Sequence, residues 1–128
     1  MRKKKQKDTR DERSIQIECV SWFRETFPNQ IITVISNEAL ARNWARYAPM
    51  GAVAGVADLL VSLRNNIFFI EMKNANGKQS KAQKDFESKC NTLGIGYYLV
   101  RDLTSFKRSI LSEWIKMQKI DPATHKIQ

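Results

Sequence analysis

Histidine occurs once in this chain, at His125, and cysteine twice, at Cys19 and Cys90. Two well-separated thiols make neither a disulfide framework nor half of a zinc site, and one imidazole near the end supplies no Ser-His-Asp triad and no haem ligation. Apolar runs are also short: none approaches the ~18 residues that a membrane span needs. The basic N-terminus is not followed by the apolar stretch of a secretory signal. These absences imply an intracellular chain with reduced thiols and no membrane attachment. Glycine and proline are sparse, at 5 and 3 residues, and the rest is ordinary globular composition, 42% hydrophobic and 27% charged. At 128 residues there is room for one domain that buries roughly two-thirds of its unfolded surface.

What is short on the acidic side is the first positive clue. Thirteen Asp and Glu stand against 22 Lys and Arg, giving +9 and a pI near 9.8. Such a balance points to a polyanionic partner, most often nucleic acid. Arg2, Lys3, Lys4, Lys5, Lys7 and Arg10, less Asp8, place +5 in the first ten residues. Residues 1–10 therefore read as a disordered basic arm, which either improves solubility or adds phosphate contacts without sequence preference.

Ile15, Cys19, Trp22, Phe23 and Phe27 recur at helical spacing before Pro28, and IITVI at 31–35 has the β-branched composition of a strand. Residues 38–48 read as a helix that closes before Pro49. Strands are expected at 56–63 and 67–73, joined at Asn65-Asn66, then a polar loop at 74–79 and a helix from Ser80 to Leu93. A fourth strand at 97–101 and a helix at 104–117 complete an α-β-(α)-β-β-α-β-α order. The expected fold is α/β, a single domain over residues 11–120 with a small mixed sheet flanked by helices, and a flexible tail at 121–128.

The chemistry concentrates on the two central strands. Asp58 opens an otherwise apolar strand, and Glu71-Met72-Lys73 ends the next one. Alternation puts Glu71 and Lys73 on one face. A hairpin about Asn65-Asn66 would pair position 58 with 73, or 60 with 71, and so bring Asp58, Glu71 and Lys73 together at one end of the sheet. Adjacent carboxylates repel unless protonated or bridged by a cation, and Mg²⁺ is the usual bridge. A lysine beside them can orient or deprotonate a water, or neutralise charge on a phosphate. The plainer alternative is an Asp at a turn and a Glu–Lys pair on an exposed strand.

Helical phase selects a third acid. Counting ~100° per residue from Ile15, the apolar face centres near 75° and Glu12 falls at about 60°, whereas Glu18 and Glu25 lie on the far side. Glu12 then either meets the acidic cluster or simply favours the positive end of the helix dipole. Ser80-Lys81-Ala82-Gln83 has the form of a capping box, which would employ Gln83 at the helix start facing the Glu71–Lys73 strand end. Lys78, Lys81 and Lys84 cluster there, and Arg42 and Arg46 lie one turn apart beside Trp44 and Tyr47. Each set is a candidate phosphate contact or the solvated side of a helix.

Asp58 followed by Glu71-Met72-Lys73, behind a helix bearing Glu12, resembles the PD-(D/E)xK nuclease site. The blocks GAVAGVADL (51–59), FIEMK (69–73), GKQSKAQ (77–83) and GIGYYLVR (94–101), in that order, resemble the VRR-NUC (virus-type replication-repair nuclease) family, as do ERSIQ (12–16) and ISN (35–37). Ala57 stands where the motif's name places proline, and the stretch after Asn37 lacks the glycines often found in that family. The resemblance implies a restriction-endonuclease-like core and Mg²⁺- or Mn²⁺-dependent DNA endonuclease activity, with no small-molecule cofactor. By the same resemblance Asp58, Glu71, Glu12 and the Met72 backbone carbonyl would hold metal, Lys73 would assist the water, and Gln83 would support them. A homodimer acting on branched DNA, flaps or four-way junctions, in phage or bacterial replication and repair is implied in the same way. The alternative is a nucleic-acid-binding module or accessory subunit that keeps the fold without the chemistry.

Overall fold

The computed structural model describes residues 9–35 and 37–118. Most of the expected arm, all of the tail, and His125 lie outside the described residues. Helix α1 (Glu12–Thr26) starts at Asp11, whose side chain accepts from the Ser14 N–H at 2.8 Å. It buries Ile15, Cys19 and Phe23, the stripe that the spacing predicted. Strand β1 (Ile31–Val34) follows, then two short helices, α2 (Asn37–Arg42) and α3 (Trp44–Tyr47), and a 3-10 turn, Ala48–Met50. The single helix expected over 38–48 is therefore broken at Asn43, which adopts a non-helical conformation.

Strands β2 (Leu59–Leu63) and β3 (Asn66–Met72) form an antiparallel hairpin. Helix α4 (Lys81–Leu93), strand β4 (Gly96–Val100) and helix α5 (Leu103–Gln118) complete the chain. The sheet runs in the order β1-β2-β3-β4, with β4 parallel to β3 and the other pairs antiparallel. A parallel neighbour requires a crossover, and α4 supplies it. Alternate residues of the central strands, Leu59, Val61 and Leu63 with Phe68, Ile70 and Met72, join α1 and α5 in the larger core. On the other face Phe69 packs with Phe86 of α4 and with Ala57, Cys90 and Tyr97. Cys19 and Cys90 are both buried and neither forms a disulfide. Among the described residues no helix is long and apolar enough to cross a membrane.

The hairpin differs from expectation by one residue, with a consequence for the site. The turn residues are Arg64 and Asn65, with φ of 51° and 70°, the two left-handed positions of a tight hairpin turn. Asn66 belongs to β3 instead, opposite Leu63, because its side-chain amide donates to the buried carboxylate of Glu113 on α5. Arg64 is held in its strained conformation by two contacts. Its N–H donates to Gln30 Oε1 at 2.8 Å, and its guanidinium lies 4.5 Å from the centre of the Trp114 ring. The register becomes Leu59↔Ile70 and Leu60↔Phe69, so one further step places Asp58 directly opposite Glu71 rather than opposite Lys73.

Candidate active site

The sheet end formed by β2 and β3 gathers the acids. Asp58, partly buried, spends Oδ2 on the Met72 N–H at 2.7 Å, and its backbone carbonyl accepts from Ile35 at 2.7 Å. It therefore closes the strand end, as the plainer alternative required, while its carboxylate also bears on Glu71. Glu71 is 1% exposed. Its Oε1 accepts from Gln83 Nε2 at 2.8 Å and lies 3.8 Å from Lys73 Nζ. Its Oε2 is buried with no hydrogen-bond partner among the described residues. Burial, then the neighbouring Asp58 carboxylate, pushes the Glu71 carboxyl up to about 8, against the pull of Lys73.

Glu12 reaches this end of the sheet from the first turn of α1. Burial raises its carboxyl above the usual range, while Lys73 lowers it and Asp58 raises it, so the helical phase did select the acid that feels the cluster. The three acids do not, however, converge into a set that would cage an ion unaided: among the described residues no group of three His, Cys, Asp or Glu does so. Lys73 is fixed through its N–H to the Val100 carbonyl at 3.0 Å, and its side chain is 12% exposed. The x position of the motif, Met72, turns its side chain into the core.

Gln83 performs two tasks at once. Its N–H donates to Ser80 Oγ at 3.2 Å and its Oε1 accepts from the Ser80 N–H at 2.8 Å, completing the capping box. The remaining Nε2 hydrogens are then aimed at Glu71. Capping thus fixes the rotamer that grips the carboxylate. Of the cations singled out, Lys78 and Lys84 are exposed, and Lys81 pairs loosely with Asp85 at 3.3 Å. Arg42 pairs with Glu38 at 3.5 Å, and Arg46 sits 5.6 Å from the centre of the Tyr47 ring. None of these five is engaged with the acidic cluster.

Three supports were not foreseen. Gly55, at φ +75°, lies against the Ala82 carbonyl and the Gln83 N–H, where any Cβ would collide with backbone. That contact sets the chain entering Asp58 onto the start of α4. Asn37 ties the same segment from the other side, donating to the Val56 carbonyl at 3.0 Å. Arg101 donates to the carbonyls of Asn74 at 2.7 Å and Gly77 at 2.8 Å, pinning the loop that leaves Lys73. Each lies within a block quoted for the family resemblance, so the motif marked these positions without revealing their mechanical roles.

The donor chemistry suits a hard divalent cation. Two adjacent carboxylates, one with a buried oxygen that no donor among the described residues satisfies, offer what Mg²⁺ ordinarily takes from protein, the rest of its shell being water and phosphate oxygen. A zinc site would require nitrogen or sulfur ligands that are absent from the cluster.

No family profile matches the sequence, and no curated protein matches it. Among solved structures, one described as a VRR_NUC domain protein is similar over 85% of this chain and 91% of its own, with a TM-score of 0.61 and 21% sequence identity. At that identity the likeness is one of fold, and it bears out the restriction-endonuclease-like core to which the motif blocks pointed.

Proposed function

We propose that this chain is a divalent-metal-dependent endonuclease of the VRR-NUC type that hydrolyses DNA phosphodiester bonds. The observation that carries the proposal is Glu71. A carboxylate that is 1% exposed, faces Asp58 and keeps one oxygen without a hydrogen-bond partner among the described residues is costly to hold ionised unless a cation joins it. Asp58 and Glu71, with the Met72 carbonyl, would hold the ion, and Glu12 would complete the acidic set around its water shell. When bound, the ion supplies Lewis-acid charge against the scissile phosphate oxygens.

The protein's own side chains do the rest. Gln83 keeps Glu71 Oε1 from swinging by a hydrogen bond that is itself anchored in the capping box. Lys73 carries its positive charge to the edge of the cluster, where it orients the attacking water and opposes the negative charge that grows on the phosphate. Lys78, Lys81, Lys84, Arg42 and Arg46 would neutralise flanking phosphates. The net charge of +9 favours such a polyanionic substrate. Branched DNA as the substrate, a homodimer as the working form, and Mn²⁺ as a substitute for Mg²⁺ follow from the motif resemblance.

Labelled linear, flap and four-way-junction DNA, incubated with Mg²⁺, Mn²⁺ or EDTA, tests this reading. Cleavage that needs metal and vanishes in Lys73→Ala is the expected result. Binding without cleavage under every metal would instead favour a non-catalytic module of the same fold.

A further inference from the structure

Next to the acidic cluster the surface folds inward to a pocket of about 380 Å³. Asn37, Leu40 and Trp44 line it from α2 and α3, Val53 and Val56 from the chain before β2, and Gln83 from α4. Gln83 is common to both places: the side chain that bounds the pocket also holds Glu71 Oε1 at 2.8 Å. Whatever enters the pocket therefore sits one side chain from the acids. Its lining is aliphatic apart from Asn37, Ser80, Gln83 and the indole of Trp44, which remains 41% exposed.

Charge on the walling elements narrows the occupant. Arg42 and Arg46 lie on α2 and α3, and Lys81 and Lys84 on the first turn of α4, the same elements that supply the opposing walls. All four are exposed, with Glu38 beside Arg42 at 3.5 Å and Asp85 beside Lys81 at 3.3 Å. An apolar, aromatic recess whose walling helices carry exposed cations suits a planar ring carried on a phosphate backbone, with the ring inside and the phosphates outside. An aliphatic or acidic small molecule would use one of these features and leave the other idle. A base held in a duplex has its faces covered and cannot enter, so only an unpaired base fits.

We propose that this pocket is a nucleobase subsite that receives an unpaired base next to the phosphate that a cation bound at Asp58 and Glu71 would hold. The subsite rests on the nuclease reading and deepens it by specifying substrates with an unpaired nucleotide at the cut. Trp44 is the stacking wall, and the exposed arginines and lysines guide the strand across it.

Fluorescence anisotropy in EDTA, where nothing is cut, tests the subsite. The probe is a labelled branched DNA with one unpaired thymidine at the branch, set against the same DNA with an abasic residue there. Wild-type protein should bind the abasic probe about tenfold more weakly. Trp44→Ala should lose a similar factor on the thymidine probe and nothing further on the abasic one, while Trp44→Phe keeps most of the preference. Equal binding of the two probes by the wild type overturns the subsite, as do losses that simply add. Mg²⁺-dependent cleavage is followed on the same two probes. Cutting with no dependence on the base refutes the subsite alone, whereas base-dependent binding without cutting supports the subsite and refutes the nuclease.

Discussion

Glu71 and Glu113 are each 1% exposed, yet their surroundings differ at every oxygen. Glu113 accepts from Asn66 on one oxygen, and from Tyr98 at 2.6 Å and Lys116 at 3.1 Å on the other. Gly96 leaves space for it, since a Cβ there would strike its carboxylate. The ensemble fastens α5 to the hairpin and to β4. Glu71 receives a hydrogen bond on one oxygen, a lysine at 3.8 Å, and among the described residues no hydrogen-bond donor on the other, with the Asp58 carboxylate close by. The first arrangement is complete and does structural work. The second is complete only when a proton or a cation is added, which is the mark of a site that acts.

The largest effect that would sharpen this contrast is on catalysis. Lys73→Ala should reduce metal-dependent cleavage by roughly 10²–10⁴-fold while its denaturation midpoint stays close to wild type. Glu113→Gln should leave cleavage chemistry intact and lower stability by about 2 kcal/mol in urea titration, because Tyr98 and Lys116 lose a charged acceptor. If Glu113→Gln instead removed cleavage without loss of stability, the two glutamates would have been assigned the wrong way round.

A smaller separation should appear with pH. Glu71 titrates near 8 in the folded chain against an ordinary value of 4.5. Between those values the folded state keeps a proton that the unfolded state has released, so the contribution of Glu71 to stability is fully present below about pH 4.5 and is lost as pH rises toward 8. In EDTA, Tm should decline across that window, and Mg²⁺ should flatten the decline by replacing the proton. A Tm in EDTA that rises from pH 5 to 8 would contradict the assignment. At Gly55 the effect is on stability first: Gly55→Ala should lose at least the roughly 1–3 kcal/mol of a strained φ, because its Cβ would also meet the Ala82 carbonyl, with the cleavage rate falling as Asp58 and Gln83 move apart.

The central strands and the flanking helices were legible because their apolar periodicities are clean and because Pro28, Pro49 and Ser80 mark boundaries. Glu71 and Lys73 could be placed on one face from alternation alone, and Glu12 could be chosen over Glu18 and Glu25 from helical phase. The hairpin register could not. Asn65-Asn66 looks like the turn, and the competitor that moves it is Glu113, a residue distant in sequence that claims Asn66. One local signal existed: Glu113 follows Phe106 and Ile110 on the buried stripe of α5, and an acid at a core position demands partners. The break at Asn43 is likewise a tertiary result, as α2 and α3 bury no residue fully and have little packing to keep one helix continuous.

The contrast between the two glutamates meets its most direct test in Glu71→Gln, with urea stability in EDTA, stability in Mg²⁺, and DNA cleavage read on one preparation. Relief of the buried, half-partnered carboxyl should leave the variant at least as stable as wild type in EDTA near pH 8, insensitive to added Mg²⁺, and inactive. A variant that is destabilised as Glu113→Gln is, that still gains stability from Mg²⁺ and still cleaves DNA, would show that Glu71 is a structural residue and that the metal, if any, binds elsewhere.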